Sequence, residues 1–183
     1  MNFIYLKGSA TLKVIIINVI CFILTAAGTI YSTTFGNNYY LTISNGQIYR
    51  LVTCMFYHYG IMHILCNMYS LSNIGLAVEN RYGKKKFWIA YFVTGIVGGL
   101  IACIIHKMLG HNVLSAGASG AICGLLGLLI GDMGGTFNDK LRATINTIWP
   151  LILIGLLGSG IDNICHFTCL GVGVALSTFY KKR

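Results

Sequence analysis

The segment SGAICGLLGLLIGDMGGTF, Ser119 to Phe137, carries a single charge, Asp132, and is otherwise apolar or small. It has the length a helix needs to cross a hydrocarbon core, about 17 to 25 residues. Glycines 120, 124, 127 and 131 recur at spacings of three and four, which puts them on one helix face. A ridge of small residues lets neighbouring helices approach closely, and packing alone accounts for it. The segment therefore predicts a central helix, tightly surrounded by others.

Five further apolar runs flank it: Val14 to Tyr31, Tyr59 to Val78, Phe87 to Ile105, Ala143 to Ile161 and Ile164 to Tyr180. The chain is 56% hydrophobic and only 9% charged, with a mean hydropathy of +0.74. A soluble domain carries about a quarter charged residues. A water-soluble fold of 183 residues could not hide this much apolar surface; a lipid bilayer can. The expectation is an all-α, multi-pass membrane protein: a six-transmembrane-helix bundle forming one domain over residues 1–183, with no separate soluble domain.

The net charge of +9 raises the question of nucleic acid, and its distribution answers it. Eleven of the thirteen Lys and Arg residues fall on one side of the six runs: Lys7 and Lys13, Arg81 and Lys84 to Lys86, Lys140 and Arg142, Lys181 to Arg183. Only Arg50 and Lys107 fall on the other. The positive-inside rule then puts both termini in the cytoplasm. The charge reads as a topology signal, and no nucleic-acid partner is expected.

The seven cysteines lie mostly within the runs and form no CxxC pair. They read as small apolar residues in helix interfaces, not as a disulfide framework or zinc site. The first run is long for a signal-peptide core and reads as a retained span. The longest connection, Ser32 to about His58, mixes turn residues with Tyr39, Tyr40 and Tyr49, and reads as a loop lying in the outer interface.

Polar residues inside a span are costly and point to function. On this topology the second, fourth and sixth runs all enter from the outer face. The second carries His63 and Asn67 one turn apart, on one helix face. The fourth begins at Ser119, and the sixth carries His166 within its first two turns. Singly, these read as interhelical hydrogen bonds or helix caps. Jointly, three helices bring a nucleophile, a base and two donors to one depth. Glycines flank Ser119 at a helix start, where free N–H groups suit a developing oxyanion. The Gly-x-Ser-x-Gly elbow of soluble hydrolases does not fit, because Ala121 stands at its second glycine and no strand precedes it.

Gly117-Ala118-Ser119-Gly120 resembles the GxSG motif of rhomboid intramembrane proteases. His58, His63 and Asn67 match that family's H-x4-H-x3-N, and Tyr49-Arg50 is similar to the tryptophan–arginine pair of its first loop. Glu79-Asn80-Arg81-Tyr82-Gly83 resembles its ExxxG. Asp162 to His166, with Gly173 seven residues on, resembles its last span. Two positions depart: Cys123 stands where many members carry an aromatic that stacks on the histidine, and Cys169 where many have glycine, a change expected to loosen helix packing slightly.

The resemblance implies a Ser119–His166 dyad, with the Ser119 amide and the side chains of His63 and Asn67 as oxyanion donors. It implies no metal or other cofactor, single-span membrane proteins as substrates, and residence in a bilayer, expected to be a bacterial cell membrane. Gly117, Gly120, His58, Arg50 and Gly173 are expected to support the motifs, and Glu79 and Arg81 to anchor the cytoplasmic end. Asp162 is the one acid near His166, and capping the last span is the commoner role for such a residue. Two rival classes stand beside the protease. One is a silent relative that escorts membrane clients, though such proteins generally lack the serine or histidine. The other is a metal carrier, which the histidine spacings do not favour.

Overall fold

The computed structural model describes residues 8–28, 34–133 and 161–180; their regular structure is helical, the one extended pairing being an isolated bridge between Asn37 and Ser115. Five long helices are α1 (Ala10–Ala26), α3 (Ile61–Tyr82), α4 (Lys84–Met108), α5 (Ser119–Gly131) and α6 (Asn163–Ser177). A short α2 (Arg50–Thr53) lies in the first loop. These helices coincide with five of the six apolar runs; the run Ala143 to Ile161 lies, but for its last residue, outside the described residues. By length and composition α3 and α4 suffice to cross a membrane, whereas α1, α5 and α6 are shorter apolar helices.

Local chemistry sets the boundaries. α1 starts four residues before the apolar run because its first turn is capped twice. Ser9 accepts from Leu12 N, and the Glu79 carboxylate accepts from Ala10 N at 2.8 Å, Thr11 N at 2.9 Å and Thr11 Oγ1 at 2.8 Å. That satisfies N–H groups which every helix start leaves open. Gly83, at φ +87°, breaks α3 from α4 with no intervening loop. At the same end Arg81 and Tyr82 reach Asp132 at 2.5 and 2.7 Å, tying α3 to the end of α5. Glu79 thus ties α3 to the start of α1, and Arg81 ties it to the end of α5. The Arg81 pair is half-open to solvent and contributes at most about 1 kcal/mol.

The glycine ridge packs on two sides. A Cβ on Gly124 would overlap the Thr94 side chain of α4, and one on Gly127 the Leu170 carbonyl of α6. From the other side, a Cβ on Gly173 would overlap Gly124 O. With nearly every α5 residue from Gly120 to Ile130 buried, α5 is the central helix the sequence predicts. Cys169 does not loosen this packing: it is fully buried, with its Sγ and backbone against Gly98 of α4. Gly98, on the facing helix, leaves the room that the Cys169 side chain fills.

The first loop differs from expectation. It is folded onto the bundle through a π turn (Tyr40–Ser44), α2 and a 3-10 turn (Cys54–Phe56), with Asn37, Thr42 and Arg50 buried. Arg50 donates to Gly36 O at 2.8 Å and Gln47 Oε1 at 2.6 Å. Among its large apolar side chains, Tyr40, Ile48, Tyr49 and Val52 stay exposed, keeping part of the interfacial character. A backbone that turns away from water must find partners for its polar groups, and Asn37 supplies them. It links Thr42, Gly99 O of α4 and both backbone groups of Ser115.

Candidate active site

The loop before α5 is held from three directions. Ser115 exchanges two 2.8 Å backbone bonds with Asn37, Gly117 N donates to Cys54 O at 2.8 Å, and Ala118 N donates to His58 Nε2 at 3.4 Å. His58 is therefore an acceptor, and burial together with neighbouring His63 pushes its pKa down to about 3, keeping it neutral. Gly117 adopts φ +114°, a conformation side chains rarely take. Its missing Cβ also makes room: an added methyl would lie 2.8 Å from the His63 ring and 3.7 Å from Asn67 Nδ2. Both parts of the motif glycine's role follow from these numbers.

Ser119 is the first residue of α5, and its Oγ lies 2.8 Å from His166 Nε2 on α6. Its N–H has no protein acceptor among the described residues, and Ala118 supplies no side-chain cap. On the facing helix α3, His63 Nδ1 accepts from Tyr59 N at 3.4 Å, which leaves its proton on Nε2, toward Gly117. Asn67 Nδ2 spends one hydrogen on His63 O at 2.9 Å and keeps a second. His63, Asn67, Gly117, Ser119, Cys165 and His166 line one cavity of about 840 Å³.

Gly120 lines the cavity as well, whereas His58, Arg50 and Gly173 lie apart from it. His58 sits behind the loop with its ring edge-on to His63 at 5.0 Å. Arg50 braces the first loop, Gly120 gives room to Cys165 and Cys169, and Gly173 serves helix contact. Cys123 is buried away from the cavity, and among the described residues no aromatic ring stacks on His166. No group of three or more metal-ligating side chains is found among the described residues, and the described cysteines are free thiols.

Asp162 caps α6 by accepting from Cys165 N at 2.9 Å, the commoner role for such a residue. Its side chain bonds His106 and Ser115, not the His166 ring. Sequence reasoning passed over His106. An imidazole in the last turn of an apolar helix was signal enough to single it out.

The rhomboid domain family matches residues 45–183 of this sequence. The chain belongs to the rhomboid family. It is 33% identical over 155 residues to Rhomboid-like protease 3 of Toxoplasma gondii, covering 80% of this chain and 57% of that protein. It is 32% identical to Rhomboid-like protease 1 of the same organism, covering 81% of this chain and 52% of the relative. To RHOMBOID-like protein 5 of Arabidopsis thaliana it is 32% identical, over 68% of this chain and 41% of that protein. The chain thus spans about half the length of the curated relatives it matches. Family and apolar helices together make it a membrane protein. These relatives are eukaryotic and give no support to the bacterial membrane expected from the sequence.

Proposed function

We propose that this rhomboid is an intramembrane serine endopeptidase that cleaves single-span membrane proteins near the outer face of the bilayer. The proposal includes one domain over residues 1–183, six spans, and both termini on the basic, cytoplasmic side. The observation that carries it is the 2.8 Å contact between Ser119 Oγ and His166 Nε2, residues 47 apart in the chain.

In this reading Ser119 Oγ attacks the scissile carbonyl as His166 Nε2 accepts its proton. The proton then passes to the leaving amine, and a water activated by the same imidazole releases the acyl group. The tetrahedral oxygen is held by the Ser119 N–H, His63 Nε2–H and the second Asn67 amide hydrogen, donors already in place before charge develops. Losing one such donor typically costs about 10²–10³ in rate. The base works as half of a dyad, because Asp162 is committed elsewhere. By resemblance to the family, substrates are expected to carry small residues at the cut, and helix-destabilising residues nearby, since a peptide bond inside an intact helix is inaccessible.

The test uses purified protein in proteoliposomes with a single-span reporter substrate and a fluorophosphonate probe. Wild type is expected to cleave and to label, and Ser119→Ala and His166→Ala to lose both by about 10³-fold or more. Equal cleavage by all three would sink the reading. A folded wild type that neither labels nor cleaves would favour a silent relative that binds membrane clients.

A further inference from the structure

Beside the Ser119–His166 contact lies a second polar cluster, built on the Asp162 carboxylate. Its Oδ1 accepts from Cys165 N at 2.9 Å and from His106 Nε2 at 2.8 Å, and its Oδ2 accepts from Ser115 Oγ. In this bond the imidazole donates from Nε2–H to the carboxylate oxygen. The three donors come from the last turn of α4, the loop four residues ahead of Ser119, and the first turn of α6, next to His166. The His106 and Asp162 side chains are each only 8% exposed, so the bond is largely shielded from bulk water. Nδ1 of His106 has no partner among the described residues, so the Asp162 bond is the hydrogen bond that fixes the ring.

We propose that His106 is a positioning residue: through Asp162 and Ser115 it sets the separation between the start of α5 and the start of α6, and hence the Ser119–His166 geometry. The inference rests on the protease reading above. Asp162 forms part of the cavity wall while His106 does not line it, so His106 meets no substrate. Without its imidazole donor, Asp162 turns toward the cavity, and the cap that places His166 shifts with it. A misplacement of about 1 Å costs about 10²-fold in rate. The loss falls on the chemical step and not on substrate binding.

The test compares wild type, His106→Leu and His106→Gln by kcat and KM on the reporter substrate, and by the rate of fluorophosphonate labelling. His106→Leu is expected to lower kcat and labelling roughly 10- to 100-fold with KM within about twofold. Gln can donate from Nε2 at similar reach, and is expected to restore kcat to within about threefold of wild type. Wild-type kcat in His106→Leu overturns the inference, as does equal impairment of both variants with a raised KM. Should His106→Leu not fold, Ser115→Ala removes only the second donor and is expected to show the same split at smaller size; unchanged kcat there also overturns it. An active wild type indifferent to His106 leaves the protease reading standing. A wild type that neither labels nor cleaves overturns both.

Discussion

Replacing Gly117 with alanine tests the oxyanion site through backbone and side chain together. The φ of +114° is open to glycine and costs another residue about 1–3 kcal/mol. The new methyl would sit 2.8 Å from His63 Cε1 and Nε2, where carbon contacts prefer about 3.5–4.0 Å. The His63 ring must therefore withdraw by roughly 0.7 Å or more. It cannot do so freely, since it packs against His58 at 5.0 Å and stacks on Tyr59 at 6.0 Å. Loss of one donor then lowers kcat by about 10²–10³-fold, while the protein keeps most of its stability. The assay is reporter cleavage and fluorophosphonate labelling in proteoliposomes, with the thermal midpoint measured on the same samples. Gly120→Ala is the comparison, because its methyl would meet only the Cys169 and Cys165 thiols at 3.1 and 3.2 Å, so a smaller loss is expected. A folded Gly117→Ala protein with wild-type kcat would refute the assignment of His63 and Asn67 as oxyanion donors.

Two other substitutions probe the framework. Glu79→Ala removes the acceptor of three hydrogen bonds at the start of α1 and is expected to cost about 1–3 kcal/mol, read as a lower thermal midpoint. Activity per folded molecule should be unchanged, since the cavity is not lined by Glu79. His58 is held neutral with a pKa near 3, against about 6.5 when unfolded. Between those values the unfolded chain binds more protons, so its contribution is complete above about pH 6.5 and lost as pH falls toward 3. Wild type is therefore expected to lose up to about 1.4 kcal/mol per pH unit in that window. His58→Phe should show a shallower acid slope in denaturation curves; an identical slope would count against His58 as its source.

Periodicity and polarity alone were enough to find the five long helices of the described residues and the central one among them. Apolar runs must become helices in lipid, because each helix satisfies its own backbone groups, and a ridge of glycines can serve only close contact. Ser119, His63, Asn67 and His166 were legible for a related reason: polar groups in apolar helices are rare enough that their common depth stands out. The Glu79 motif also announced an anchor, though not that its partner would be the start of α1.

What the sequence could not determine is contact between residues distant along the chain. Asn37 reads as one turn residue among several, yet it fastens the first loop to α4 and to the loop before Ser119. Cys169 reads as a departure where many relatives have glycine, and only its position against Gly98 shows where its side chain finds room. His106 and Asp162 lie 56 residues apart and reveal their pairing only when α4 and α6 close around α5. Composition and spacing act along one helix at a time and fix which groups face inward and at what depth. Partnership within hydrogen-bond distance depends on the rotation and separation of neighbouring helices. Those are settled by how glycines and side chains interlock across the whole bundle, and so only the tertiary structure decided them.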